Sequence, residues 1–266
     1  MKKSILGLCA FVLCCPQSCS FDTQLVYHKD ASQSMQINAD MKEMMGFINA
    51  IGKDSANNNS KELKDLEKFP KDWKSLYDIE KEEGKKQTTD PDSIRMMKKI
   101  FIKGNFDNQQ LAGFSFKMDR ITQKEQEWLH AKTDKGTEKL PLTNKAFSTW
   151  DGKTLVIETK HFNIQELEKI FKEKTEEKKN KKSPEERDSV DPQKSAEQTM
   201  AMMKMFNIKF TNTLKFETNI IAIEGSHDWV KKVDNRTIQI NFNTEELFDE
   251  NHKFKNNDPI IKILTE

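Results

Sequence analysis

Two apolar spacings alternate along this chain. In SMQINAD, Met35, Ile37 and Ala39 take turns with Gln36, Asn38 and Asp40, a period of two that predicts a strand with one buried face. QLVYH, residues 24–28, reads as the strand before it, and the polar KDASQ between them as the turn of a hairpin. IFIKGNF predicts another strand. From Gly113 onward Phe114, Phe116 and Met118 alternate with Ser115, Lys117 and Asp119. AFSTWDGKTLVIET reads as a hairpin about Asp151-Gly152, a dipeptide that readily takes the positive backbone angles of a tight turn. Further on, NIKFTNTLKF, NIIAIEG, HDWVKKV and RTIQINF predict four short strands with turns at Gly225 and Asp234-Asn235, and DPIIKILTE predicts a last one.

Helical spacing fills the intervals. In MKEMMGFINAIGK, Met41, Met44, Met45 and Ile48 share a face behind a capping Asp40. Residues 61–83 carry sparse apolar anchors (Leu63, Leu66, Phe69, Trp73, Leu76 and Ile79), with Pro70 dividing two short helices. Asp90-Pro91 opens a helix whose apolar face holds Ile94 and Met97. TQKEQEWLHAK and NIQELEKIF read as helices, and Asp191-Pro192 opens another that ends in TMAMMKMF. Asn243 and Glu246 are spaced as a capping box for TEELFDE. The expected fold is therefore α+β: a mostly antiparallel sheet built from hairpins and a C-terminal meander, with interleaved helices. Strands and helices do not alternate regularly enough for a doubly wound parallel sheet. No repeat of fixed period is present.

The first segment, MKKSILGLCAFVLCCPQSCSFD, stands apart. Lys2 and Lys3 precede an apolar run from Ser4 to Cys15, too short to span a bilayer and suited to a signal-peptide helix. All four cysteines, Cys9, Cys14, Cys15 and Cys19, fall here. A structural zinc site needs a second ligand pair downstream, and none exists. Cysteines inside an apolar leader do not staple loops either. Around Cys19 the chain reads Pro16-Gln17-Ser18-Cys19-Ser20, which resembles a bacterial lipobox, with Ser18 as the small residue before the modified cysteine and Pro16 in place of the usual aliphatic residue. That resemblance implies cleavage before Cys19 and diacylation of its thiol. Two acyl chains hold a protein to a membrane stably. The expected organisation is a lipoprotein signal peptide at 1–18 and a single domain at 19–266, with a charged helix or linker at about 172–190.

Composition narrows the partners. The chain has a formal charge of +1; removing the leader with its two lysines brings it to about −1. No nucleic-acid partner is expected from so even a balance. Within the 172–190 region, KEKTEEKKNKKSPEER mixes seven basic and five acidic residues, a solvated pattern rather than a basic patch. Charged residues make up 33% of the chain and hydrophobic ones 35%, so the core is lean, and the mature domain must hold together without internal disulfides.

Candidate chemistry is sparse. The five histidines, His28, His130, His161, His227 and His252, form no H-E-x-x-H and no helical metal pair. His227-Asp228-Trp229 reads as a surface turn with Trp229 packed inward. No nucleophile elbow, phosphate loop or isolated acid pair occurs. The methionines, Met41, Met44 and Met45, then Met96 and Met97, then Met200, Met202, Met203 and Met205, supply the apolar faces their helices need. The same thioethers would suit Cu(I). No catalytic, cofactor or metal residue is expected, Cys19 is the one expected site, and the chain reads as no enzyme.

The lipobox, LVYHKDASQSMQINADMKEMM and a late β region together resemble uncharacterised lipoproteins of the Bacteroidota and, more distantly, the LppM-type domain. Lys29-Asp30-Ala31-Ser32-Gln33 stands where a KDGSG-like turn is common, and Asp234-Asn235-Arg236-Thr237 where DGKT is. GFSFKMDRIT is similar to an internal strand of the group. The resemblance implies a cell-envelope lipoprotein linked to the outer membrane; Ser20-Phe21-Asp22-Thr23 has one acid only where surface display in that phylum often follows an acidic stretch, so a periplasm-facing anchor is expected ahead of surface display, with an envelope protein or lipid as the expected partner. It implies no activity. Function is accordingly expected to be that of a non-enzymatic binding or assembly module on a lipid anchor. The alternatives are copper handling through the Met clusters and a hydrolase with an unrecognised site.

Overall fold

The hairpin written in QLVYH-KDASQ-SMQINAD forms: β1 (Ser20–Tyr27) and β2 (Gln33–Asp40) pair antiparallel, with Thr23 opposite Ile37 and Leu25 opposite Met35. β1 begins four residues earlier than the alternation suggests, because it is paired along both edges. The computed structural model describes residues 19–46, 69–84, 88–133, 148–165, 197, 200–201, 203–205, 207–249 and 251–266. The expected leader at 1–18, the linker at 172–190, the rest of the first Met-rich helix, residues 61–68 and most of the helices expected at 163–171 and 191–199 lie outside them.

β3 (Lys74–Ser75), β4 (Ile100–Asp107), β5 (Gln110–Ile121), β6 (Ser148–Trp150) and β7 (Thr154–Ile157) come next along the chain. β8 (Lys209–Phe216), β9 (Ile220–Glu224), β10 (Val230–Asp234), β11 (Thr237–Asn243) and β12 (Ile261–Thr265) complete the strands. One sheet has eight strands in the order β10-β11-β8-β1-β2-β5-β4-β3, and the other has four, β6-β7-β12-β9. Their pairs are antiparallel except for β1 with β8, which run parallel from Ser20 beside Lys209 to Tyr27 beside Phe216. The fold is α+β with a large, mostly antiparallel sheet.

The expected C-terminal meander is corrected. β8, β11 and β10 extend the large sheet, but β9 leaves it and pairs with β12 in the small one. The cause lies at Glu217–Asn219. Phe216 faces the core from the large sheet and Ile220 faces it from the small one, so the chain turns the corner to bury both.

Short helices close the ends. Ser75 caps α1 (Leu76–Glu82), its hydroxyl accepting from the Asp78 amide at 3.1 Å. The two residues before it join β4 as a strand. α2 (Pro91–Lys99) starts at Asp90-Pro91 as predicted, but its fully buried residue is Met96, with Ile94 and Met97 half-buried. Met96 packs among Met35, Ile37, Phe116 and Met118, so contact with the sheet sets the rotation of the helix. α3 (Gln123–Thr133) is opened by Thr122 and Glu125, each side chain bonding the other's amide. α4 (Thr244–Phe248) has the predicted cap: Asn243 Oδ1 accepts from the Glu246 amide at 2.8 Å.

Among the described residues three apolar clusters hold the fold together. The largest joins the sheets: Tyr27, Leu214, Phe216, Ile238 and Ile240 on one side, and Leu155, Ile157, Ile220, Ile261 and Ile263 on the other. A second lies under α2. The third gathers Cys19, Met200, Met203 and Ile208, with Met44, Phe21 and Phe248 against it.

The opposite face of the large sheet is polar. Register aligns Gln239, Thr213, Gln24, Gln36 and Lys117 in one row. Asn241, Thr211, Asp22, Asn38 and Ser115 form the next. All but Ser115 are exposed or half-exposed.

Candidate functional site

At one end of the large sheet four chain segments meet: the β1–β2 turn at 28–32, the start of β2, a bulge in β5, and the β8–β9 corner. The turn is tight. The Ala31 amide donates to the His28 carbonyl and the His28 amide to the Ser32 carbonyl, both at 3.0 Å. Asp30 accepts from the amide and hydroxyl of Ser32, which hold its carboxyl below the usual range. The second sheet braces the turn. Trp150 Nε1 donates to the His28 carbonyl, and a Cβ on Gly152 would lie 3.1 Å from the Lys29 carbonyl oxygen.

This geometry seats His28 below the surface at 7% exposure, with both ring nitrogens engaged. Nδ1 lies 2.8 Å from Glu217 Oε1, and Nε2 lies 3.0 Å from Ser34 Oγ. A carboxylate only accepts, so Nδ1 carries the proton given to Glu217. Glu217 also accepts from the Lys29 amide at 2.9 Å and from the Arg120 guanidinium at 3.0 Å. The Lys29 amide first, then His28 and Arg120, pull its carboxyl down to about 2.

Ser34 has three neighbours. Besides His28, its oxygen accepts from the Arg120 amide at 2.9 Å and lies 3.0 Å from Asp119 Oδ1. Asp119 and Arg120 reach it because β5 bulges there: the register slips between Gln33 and Met35, and Arg120 has φ of 42°. Such a backbone angle is uncommon for a side chain of this size, and bulges of this kind re-aim side chains. The single hydroxyl proton of Ser34 can go to Asp119 or to His28 Nε2, not to both. Chemically, the arrangement is a hydroxyl against an imidazole that a carboxylate orients.

The pull on Glu217 fixes a pH dependence. Its carboxyl is harder to protonate folded than unfolded, so its contribution is complete above about 4.5 and is lost as pH falls towards about 2. In urea titrations the gap between wild type and Glu217→Gln should therefore narrow across that window and close near its lower end. An equal gap at both ends would mean that the charge contributes nothing.

Cys19, the expected lipidation residue, opens the described domain one residue before β1. Its carbonyl accepts from the Lys209 amide at 2.9 Å, and its side chain has no exposed surface. Burial pushes the thiol up, partly offset by a hydrogen bond from the Met44 amide. The Met runs separate by position. Met45, Met96, Met200 and Met203 are buried and Met205 is exposed, while Met202 lies outside the described residues. Met44, Met200 and Met203 pack with Cys19 among Ile208, Phe21 and Phe248, the surroundings of a core. Among the described residues no three His, Cys, Asp or Glu groups gather as metal ligands.

The reading of His227-Asp228-Trp229 as a surface turn needs correction. Trp229 does pack inward, but His227 is buried with it, against Phe254 and Phe162. Asp228 remains outside and ties down the loop by accepting from the amides of Lys255 and Asn256. Loss of solvation lowers the His227 pKa, and its Nδ1 accepts from the Trp229 amide at 3.2 Å.

Sequence reasoning missed His28, Ser34 and Glu217 as a group, since His28 and Glu217 are 189 residues apart. No protein-family model and no curated protein matches the chain. Among solved structures, the folded domain of Mycobacterium tuberculosis LppM is 10% identical, with a TM-score of 0.35 over 93% of this chain and 89% of that one.

Proposed function

We propose that the protein is a lipid-anchored module of the cell envelope that binds or helps assemble a partner without turning it over. The observation that carries the anchor is a coincidence of boundaries. The leader ends before Cys19 by its own pattern, and β1 starts at Ser20, so no linker separates the lipidated residue from the fold. Among the described residues no helix is long and apolar enough to cross a membrane. The partner is a protein with a flat polar surface, held on the open face of the large sheet by the rows running through Gln24 and Thr213. Outer-membrane attachment on the periplasmic side fits such a module. The Cys19 side chain is closed in by Met200, Met203 and Ile208, so a diacylglyceryl group on it requires that socket to open.

Mass spectrometry of the protein from native membranes tests the anchor. The expected N-terminal residue is a diacylated Cys19, and an unmodified terminus elsewhere refutes it. A photo-crosslinker in place of Gln24 or Thr213 tests the face. Discrete adducts are expected there, and adducts obtained only from Glu224 on the β9 edge would refute the face.

A further inference from the structure

We propose that Ser34 is an activated nucleophile, oriented by His28 and Glu217, that takes an acyl group from a carboxylic ester. The inference is independent of the anchor and of the binding face.

Three facts of geometry carry it. First, the chain of contacts has the order nucleophilic serine sites require. Ser34 Oγ meets the imidazole at Nε2, and the far nitrogen, Nδ1, gives its proton to Glu217. Second, the base is held in one pose. His28 is buried, its backbone is fixed by the turn and by Trp150, and Glu217 is itself fixed by the Lys29 amide and Arg120. The imidazole thus cannot swing from the hydroxyl without giving up Glu217. Third, the site is open. Ser34 is half-exposed, and the side chains of Asp30, Arg120 and Glu217 around it are 61%, 54% and 34% exposed. An ester can approach without displacing the core.

A simpler role exists for the same contacts, that of a polar knot joining four segments. It does not require Ser34 Oγ to lie 3.0 Å from one ring nitrogen of His28 while a carboxylate holds the other. Strained backbone beside a nucleophile–base pair is what functional sites accumulate.

The step balances without redox change. Ser34 Oγ bonds to the ester carbonyl carbon while its proton passes to Nε2 of His28. The bond from that carbon to the alcohol oxygen breaks, and His28 returns the proton to the departing alkoxide. Acyl-Ser34, free alcohol and neutral His28 result. The step proposed is the acylation alone, so the reaction is read as stoichiometric labelling of Ser34. Asp119 is the built-in restraint. Its carboxylate competes for the proton that His28 must take.

The test uses the purified full-length protein with a fluorophosphonate probe, and with p-nitrophenyl acetate as the ester. Peptide mapping should place one adduct on Ser34, absent in Ser34→Ala. Glu217→Gln and His28→Gln should slow labelling roughly 100-fold, the loss of a positioned base. Asp119→Asn should speed it several-fold by releasing the hydroxyl, a gain that a merely structural knot would not give. If His28→Gln fails to fold, Glu217→Gln and Asp119→Asn decide the matter. The proposal is overturned by no adduct at Ser34, by equal labelling in folded Glu217→Gln, or by no gain in Asp119→Asn.

Discussion

Gly113→Ala should lower stability by about 3 kcal/mol or more, the upper range for forcing atoms into a filled space. Gly113 lies between Asp40 of β2 and Asn105 of β4. A Cβ there would sit 2.0 Å from the Ala39 carbonyl oxygen and 3.0 Å from its carbon. Both are backbone atoms, so no side chain can turn aside, and the end of β2 must separate from β5. The backbone angle is not the obstacle; only space is. Gly46→Ala is the matched control, since nothing lies within 4 Å of a Cβ there. On helical propensity alone it should gain up to about 1 kcal/mol. Urea unfolding midpoints of the two variants, read against wild type, check the contrast. A Gly113→Ala protein as stable as wild type would show that the two strands are not held this close.

Ile263→Ala should cost about 2–5 kcal/mol, the range for deleting a large apolar side chain in a filled core. Ile263 has no exposed surface and sits between Leu155 and Ile223 in the small sheet, within the cluster that includes Ile238 and Phe216 of the large one. Because one core serves both sheets, the loss should appear as an earlier but still single transition. Tryptophan fluorescence and far-ultraviolet circular dichroism should move together. Loss of the tryptophan signal with the bulk of the strand signal unmoved would mean that the small sheet unfolds alone. Lys262→Ala, on the neighbouring exposed position, should change the midpoint little.

The alternating stretches were legible because each strand buries one face only. SMQINAD, GFSFKMD and RTIQINF all form strands where their period indicates. Caps were legible for a similar reason, since Asn243 with Glu246 is a local contact. What escaped was non-local. Nothing in LVYH announces a parallel partner beginning at Lys209, and no period reveals that NIIAIEG changes sheets. The turn Lys29–Gln33 falls between these cases. Ala31 has φ of 60°, a backbone angle that favours glycine, and nothing in its neighbours' pattern announces it. The candidate site was hidden in full. Ser34, His28 and Glu217 come from separate segments, and the bulge that brings Arg120 to Ser34 leaves no mark in composition.

The parallel pairing of β1 with β8 sets a schedule for folding. β1 is central in the large sheet, yet its second neighbour begins only at Lys209, so three of the eight strands, β8, β11 and β10, must wait for late residues. Long-range pairing of this kind is slow, because the loop must close before any contact rewards it. Until then one edge of β1 stays bare and the socket over Cys19 has no Ile208 wall. Docking of Lys209 on the Cys19 carbonyl is the event that seals the sulfur. If Cys19 is lipidated as proposed, the modification must precede that closure, and a variant that folds faster should emerge less completely modified.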